Sequence, residues 1–312
     1  MKAAILERIG EPLRIVDLEV PKLEAGQVLV KVLCTGICGS QLQEIDGIKG
    51  DPAHLPHTLG HEGCGIVEDT GLGVTHVKRG DKVVMHWRKG AGMEAVLPIY
   101  NELILTDHGN QVEYTRAIKA GPITTFSEYS IVIENRVTKI DDDVPNDLAA
   151  LLGCALSTAV AIIENEAKPK PNESVFVIGC GGVGLAIILA SKTKTNKVYA
   201  FDKSDLKRPL VLSLGAEWIQ DNPLPWEIVI DTVGALWLDY PGVRHISLQP
   251  GGTSAGGFNP TKDIPRYVQM WRDGLLDDYP KLITHRIRLD EINKGISLMR
   301  DGKAGRVMIE MQ

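Results

Sequence analysis

Ser174-Val175-Phe176-Val177-Ile178 runs directly into Gly179-Cys180-Gly181-Gly182-Val183-Gly184 and then into the apolar segment Leu185 to Lys192. The first five residues read as a buried strand, the glycines as a tight turn and the apolar segment as a helix. Lys197-Val198-Tyr199-Ala200-Phe201-Asp202 follows as a second strand, so the stretch is one βαβ unit and implies a parallel sheet. Within the turn, Gly179, Gly181 and Gly184 fit G-x-G-x-x-G. The first permits the sharp turn, the second lets backbone approach a pyrophosphate, and the third lets helix and strand pack closely. Gly182 and Val183 belong to the same candidate cofactor turn, where the free N–H groups and positive end of a helix await an anion. Asp202 stands 18 residues beyond Gly184 at the end of the second strand. A carboxylate there accepts hydrogen bonds from an adenosine ribose and repels a 2′-phosphate, which favours NAD over NADP; Lys203 next to it weakens that preference.

Downstream, Glu227-Ile228-Val229-Ile230-Asp231 reads as a further strand of the sheet. Only Asp221 to Trp226 separate it from Trp218-Ile219-Gln220, and two of those residues are proline. A parallel neighbour needs a connection of roughly a dozen residues, so no crossover helix fits there. After Leu248-Gln249-Pro250-Gly251-Gly252-Thr253 the chain runs at once into Ser254-Ala255-Gly256-Gly257. The cofactor half is therefore expected to lack segments of a complete doubly wound sheet. Upstream, Gln27 to Gly36, Cys64 to Glu68, Asp81 to Met85 and Glu128 to Glu134 read as strands of a β-rich domain. An acidic break at Asp141-Asp142-Asp143 precedes helical spacing at Leu148, Leu151, Leu152, Ala155, Ala159 and Ile162.

Composition agrees with an α/β enzyme of about two domains: 312 residues, 44% hydrophobic, 24% charged and 32 glycines. A net charge of −6 without a basic stripe argues against nucleic acid as a partner. The N-terminus breaks into charge after four apolar residues, unlike a signal peptide, and the longest apolar stretch, Ala149 to Ile163, falls short of a membrane span. A soluble protein is expected, with no membrane partner. Five cysteines, at 34, 38, 64, 154 and 180, make no disulfide framework and suit a reducing cytoplasm.

Cys38 lies in Gly36-Ile37-Cys38-Gly39-Ser40, His61 in Gly60-His61-Glu62-Gly63, and Cys154 on the connecting helix. Two thiolates and an imidazole with a fourth position open are the ligand set of one kind of catalytic zinc site. Spacing alone leaves open that all three are packing residues. Taken in order, however, Cys38-Gly39-Ser40, Gly60-His61-Glu62-Gly63, Gly80-Asp81-Lys82-Val83-Val84, the Cys154 helix and the glycine turn resemble the zinc-dependent medium-chain alcohol and polyol dehydrogenases over nearly the whole chain. The resemblance implies a β-rich GroES-like catalytic domain, residues 1–147 and 285–312, and a Rossmann cofactor domain, residues 148–284. It implies Cys38, His61 and Cys154 as zinc ligands, Glu62 as the acidic residue near the metal and Ser40 as the hydroxyl that passes the substrate proton on. Thr158 matches a residue near the nicotinamide and Arg306 an arginine that reaches the cofactor phosphates. A homodimer or homotetramer is likewise implied.

Three departures qualify the match. His86 to Phe126 contains no cysteine where many members carry a structural-zinc lobe, so one zinc per chain is expected. Gln41 replaces an aspartate that orients the ligand histidine, which suggests another group for that role. Gln43 replaces a relay histidine. His86-Trp87-Arg88-Lys89-Gly90 is either a handle for a sugar or an anion or a solvated loop; His54 and His57 either approach the cleft or line a loop. Cys34, Cys64 and Cys180 read as packing residues. The expected activity is hydride transfer between NAD(H) and the secondary hydroxyl of a polyol or sugar. The alternatives are a metal-free quinone or enone reductase and a non-catalytic NAD-binding protein.

Overall fold

Alternating apolar positions and glycine turns make the first part of the chain a run of strands: β1 (Lys2–Leu6), β2 (Arg14–Glu19), β3 (Gln27–Ile37), β4 (His57–Thr58), β5 (Glu62–Thr70), β6 (Lys82–His86), β7 (Ile99–Leu105), β8 (Val112–Lys119), β9 (Tyr129–Ile133) and β10 (Val137–Lys139). One short helix, α1 (Gly39–Ile45), lies between β3 and β4. The computed structural model describes residues 1–48, 52–105, 112–220, 226–234, 242–248 and 255–311. Strands β1, β2, β7, β8 and β4 close into a barrel, and a second sheet runs β10-β6-β5-β3, with β9 also paired to β3. Val28, Val30, Val32, Val67, Val83 and Met85 bury their side chains together, each worth about 1.5–3 kcal/mol relative to exposure. The register of β3 on β5 shifts twice, and bulges of this kind bend and twist a strand locally.

In the cysteine-free segment after β6, β7 and β8 pair antiparallel and take their places in the barrel. Glu102 on β7, 2% exposed, accepts hydrogen bonds from Arg14 on β2 at 2.5 Å and from Arg116 on β8 at 2.7 Å. Ion pairing thus ties β7 to its neighbours.

After α2 (Asn146–Leu152) and α3 (Ala155–Ala161) come β11 (Val175–Ile178), α4 (Gly182–Lys192), β12 (Val198–Phe201), α5 (Arg208–Ser213), β13 (Glu217–Trp218), β14 (Ile228–Asp231), β15 (Arg244–Ser247) and α6 (Pro260–Arg272). The sheet order is β13-β12-β11-β14-β15, all parallel. Among the described residues no helix connects β13 to β14 or β14 to β15. Trp226 instead lies against the sheet, stacked on Phe176 at 4.9 Å between ring centroids and tilted on Tyr199 at 4.6 Å. Residues 221–225 and 249–254, where the sequence loses its crossover and its next strand, lie outside the described residues.

The chain returns through β16 (Ile283–Ile287) and α7 (Ile292–Arg300) to β17 (Arg306–Glu310), which pairs antiparallel with β3, Val307 opposite Ile37. Two compact units result: Met1–Cys154 with Arg286–Ser297 and Val307–Gln312, and Ala155–His285 with Leu298–Arg306. No single described helix is long and apolar enough to cross a membrane.

Candidate metal centre and cofactor turn

Three element ends in the first unit deliver the candidate metal-ligating side chains. Cys38 is the extended residue that opens α1, directly after β3. His61 precedes β5 and follows Gly60, which has φ +98°; a Cβ there would lie 2.8 Å from the Thr125 backbone nitrogen, so only glycine fits without strain. Cys154 follows Gly153 at the end of α2, where a Cβ would sit 2.3 Å from the Met85 carbonyl. The donor atoms of Cys38, His61 and Cys154 all lie within 4.8 Å of one another, with His61 Nε2 3.3 Å from Cys154 Sγ. A tetrahedral zinc with bonds of about 2.0 Å to nitrogen and about 2.3 Å to sulfur spaces such a pair by about 3.5 Å, so the donor set fits that ion. Both cysteines are 8% exposed.

Gln41 faces His61 Nδ1 with its side-chain amide, while its Oε1 accepts the Cys38 backbone N–H at 3.0 Å. The expectation that a group other than Gln41 orients the histidine is therefore corrected. A carboxamide carries both a donor and an acceptor, so it can serve the ring whichever nitrogen bears the proton. Ser40 Oγ lies 3.4 Å from the same Nδ1. Glu62 is fully buried, its carboxylate packed on the backbone at Gly36, where a Cβ would come within 2.5 Å of Oε1.

A cavity of about 550 Å³ in this unit is lined by Gln41, His61 and Trp87, and also by Glu44, His54 and His57. The two histidines that the sequence left between cleft and loop thus line the cavity. Of the basic cluster only Trp87 does so. His86 is fully buried, donates from Nδ1 to the Arg88 carbonyl at 2.7 Å, meets Thr138 Oγ1 at 3.0 Å and is pushed by burial down to about 4. Lys89 pairs with Glu94. Burial likewise pushes the Cys64 thiol up to about 12 and raises those of Cys34 and Cys180, which keeps all three protonated and inert.

In the second unit Gly179 takes φ +89°, and a Cβ at Gly184 would lie 1.8 Å from the Gly179 carbonyl. Gly181, by contrast, has nothing within 4 Å of a Cβ position, so the space over the middle glycine is open. Arg306, 1% exposed, places Nε 3.2 Å from a Cβ position at Gly182, against the first turn of α4. A guanidinium laid on the positive end of a helix suits a bound anion, and a pyrophosphate fits both the charge and the open space. Asp202 accepts from Cys180 N at 2.7 Å and from Ser204 N at 2.9 Å, which fixes its carboxylate beside the turn. Val183 is the second residue of α4, Thr158 is buried on α3, and Lys203 is exposed. Sequence reasoning missed Lys207, which is 4% exposed; burial lowers its pKa and the Asp202 charge opposes that. Its only signal was a lysine five residues past Asp202.

A cluster of two thiols and an imidazole that could hold a metal ion, and a glycine turn with open space over its middle glycine, are parts that a zinc-type nicotinamide dehydrogenase requires. The family described as alcohol dehydrogenase GroES-like domain matches residues 24–142. The chain is 29% identical to S-(hydroxymethyl)glutathione dehydrogenase from Synechocystis over 367 aligned positions, covering 99% of each, and 29% identical to alcohol dehydrogenase 6 from Peromyscus maniculatus, covering 99% of this chain and 97% of the other. Among solved structures, benzyl alcohol dehydrogenase from Acinetobacter calcoaceticus superposes with TM-score 0.81 at 23% identity, covering 100% of this chain and 99% of the other. 2R,3R-butanediol dehydrogenase from Bacillus subtilis gives 0.72 at 23%, covering 99% of both. Residues 24–142 thus match the alcohol dehydrogenase GroES-like domain, and over nearly its whole length the chain is similar to alcohol dehydrogenases.

Proposed function

We propose that the enzyme moves a hydride between NAD(H) and a secondary hydroxyl of a polyol or sugar, with one zinc per chain held by Cys38, His61 and Cys154. The observation that carries the reading is the three-donor cluster, within 4.8 Å, whose histidine also lines a cavity large enough for a polyhydroxylated substrate. Zinc in that site supplies Lewis acidity that lowers the pKa of an alcohol's hydroxyl. Ser40 takes the proton from the reacting hydroxyl, and with Gln43 in the relay position that proton leaves through water or the cofactor ribose. Gln41 fixes the His61 ring. Gly181, Gly182, Val183 and Arg306 hold the pyrophosphate, Asp202 the ribose, and Thr158 packs near the nicotinamide. The reading extends to a homodimer or homotetramer in the cytoplasm.

The cluster is what a metal-free quinone or enone reductase would lack. Metal analysis of the purified protein together with the absorbance of reduced cofactor tests both points, across polyols, sugars, their phosphates and S-(hydroxymethyl)glutathione, the substrate in the relatives' name. About one zinc per chain and NADH formation from a polyol are expected. Cys38→Ser is expected to lose zinc and at least 100-fold in kcat/KM; full activity in that variant would overturn the zinc assignment.

A further inference from the structure

We infer that Glu44 and His57 form the polar wall that selects uncharged, polyhydroxylated alcohols by taking a distal hydroxyl of the substrate; this rests on the reading above and names the residues that set its substrate class. Helix α1 supplies the geometry. Gln41 and Glu44 are three residues apart, hence on one face of the helix and about 4.5 Å apart along its axis. The first holds the metal-ligand histidine, and both line the same cavity. A substrate whose reacting hydroxyl lies at the His61 end therefore brings a hydroxyl a few bonds away to Glu44.

His57, from β4, faces Glu44 across 3.0 Å, Nε2 to Oε1. Its Nε2 is enclosed yet makes no aligned hydrogen bond within the protein, and the His57 side chain is 12% exposed against 33% for Glu44. An ionised carboxylate has about four acceptor directions, so the pair leaves capacity for hydroxyl protons, and the imidazole nitrogen can complete the contact as donor or acceptor.

Charge narrows the class. Apart from the histidines, Glu44 and Lys119 are the charged residues of the lining, one of each sign. Lys119 Nζ is turned to the Ala53 carbonyl at 2.7 Å. A lining without net charge offers neither a carboxylate nor an ammonium substrate a strong attraction, whereas it suits hydroxyls. Trp87, Leu97 and Ile99 supply apolar surface for the carbon skeleton, and an aromatic face suits the C–H side of a sugar or polyol. A cavity of about 550 Å³ is far larger than a short monohydric alcohol requires.

The test compares kcat/KM for xylitol and 2-butanol in the zinc-loaded enzyme with NAD, for the wild type and for Glu44→Ala and His57→Gln. The xylitol-to-2-butanol ratio is expected to fall at least tenfold in both variants, mainly through the KM for xylitol; a ratio unchanged within twofold would overturn the inference. Calorimetric titration of xylitol into the zinc-loaded protein without NAD separates the two readings. If no alcohol is oxidised, the proposed function fails, yet wild-type binding of xylitol that Glu44→Ala abolishes still supports the wall. Equal binding by wild type and variants, or none by the wild type, overturns it. Xylonate bound as tightly as xylitol overturns the preference for an uncharged substrate.

Discussion

At Gln41 one carboxamide holds the ring of a candidate metal ligand, His61, on one side and the backbone of a second, Cys38, on the other. Partners behind a ligand histidine set its tautomer and orientation, and losing one typically costs about 10–100-fold in metal affinity. Gln41 is 2% exposed, so Gln41→Leu, of similar size, leaves Nδ1 without that partner while filling the space. Zinc affinity of the variant, measured by competition with a chromophoric chelator, is expected to fall by that factor with the fold retained. The sequence showed the departure from aspartate but not its remedy, because whether an amide reaches the ring depends on how α1 docks beside His61. Lys207 escaped for a similar reason: a lysine reads as surface until burial says otherwise.

Single buried side chains also join elements that are distant in sequence. Glu134, in the turn after β9, accepts the backbone N–H groups of Thr75, His76 and Met93 at 2.6, 2.9 and 2.9 Å. Burial opposes its ionisation, but these donors and the His76 ring outweigh it and hold the carboxyl down at about 2. A depressed carboxyl pKa stabilises the fold fully above the unfolded value and loses that contribution as pH falls through the folded one. The window is thus from about 4.5 down to about 2, and the contribution is roughly 3 kcal/mol. In acid titrations followed by circular dichroism, Glu134→Gln is expected to be less stable at neutral pH and to show a flatter pH dependence across that window. No local pattern announces such a tie, nor the antiparallel pairing of Ile99–Leu105 with Val112–Lys119 in the barrel. The glycine turn and the Cys and His motifs were legible because their chemistry is confined to a few adjacent residues; the cavity wall of Glu44 and His57 was not, since it needs α1 and β4 in place.

Over the whole chain, the relatives align along 367 to 371 positions against 312 residues here, so each carries more than fifty positions without a counterpart. The shortened connection from β13 to β14, visible in the sequence as six residues with two prolines, agrees with that difference. What the sequence did not show is that Trp226 lies on Phe176 and Tyr199 in the absence of a described crossover helix there. Trp226 is 7% exposed, and Trp226→Ala is expected to cost about 3–5 kcal/mol, read as a lower midpoint in chemical unfolding. The metal centre has a second meaning at this scale. Cys154 ends the first unit's main segment, and Cys38 lies more than a hundred residues before it. An ion bound to both would close the chain between them into a ring, as a disulfide would, and remove conformational freedom from the unfolded chain worth on the order of 4–5 kcal/mol. A metal held there would then also be a cross-link, in a chain with no disulfide among its described cysteines.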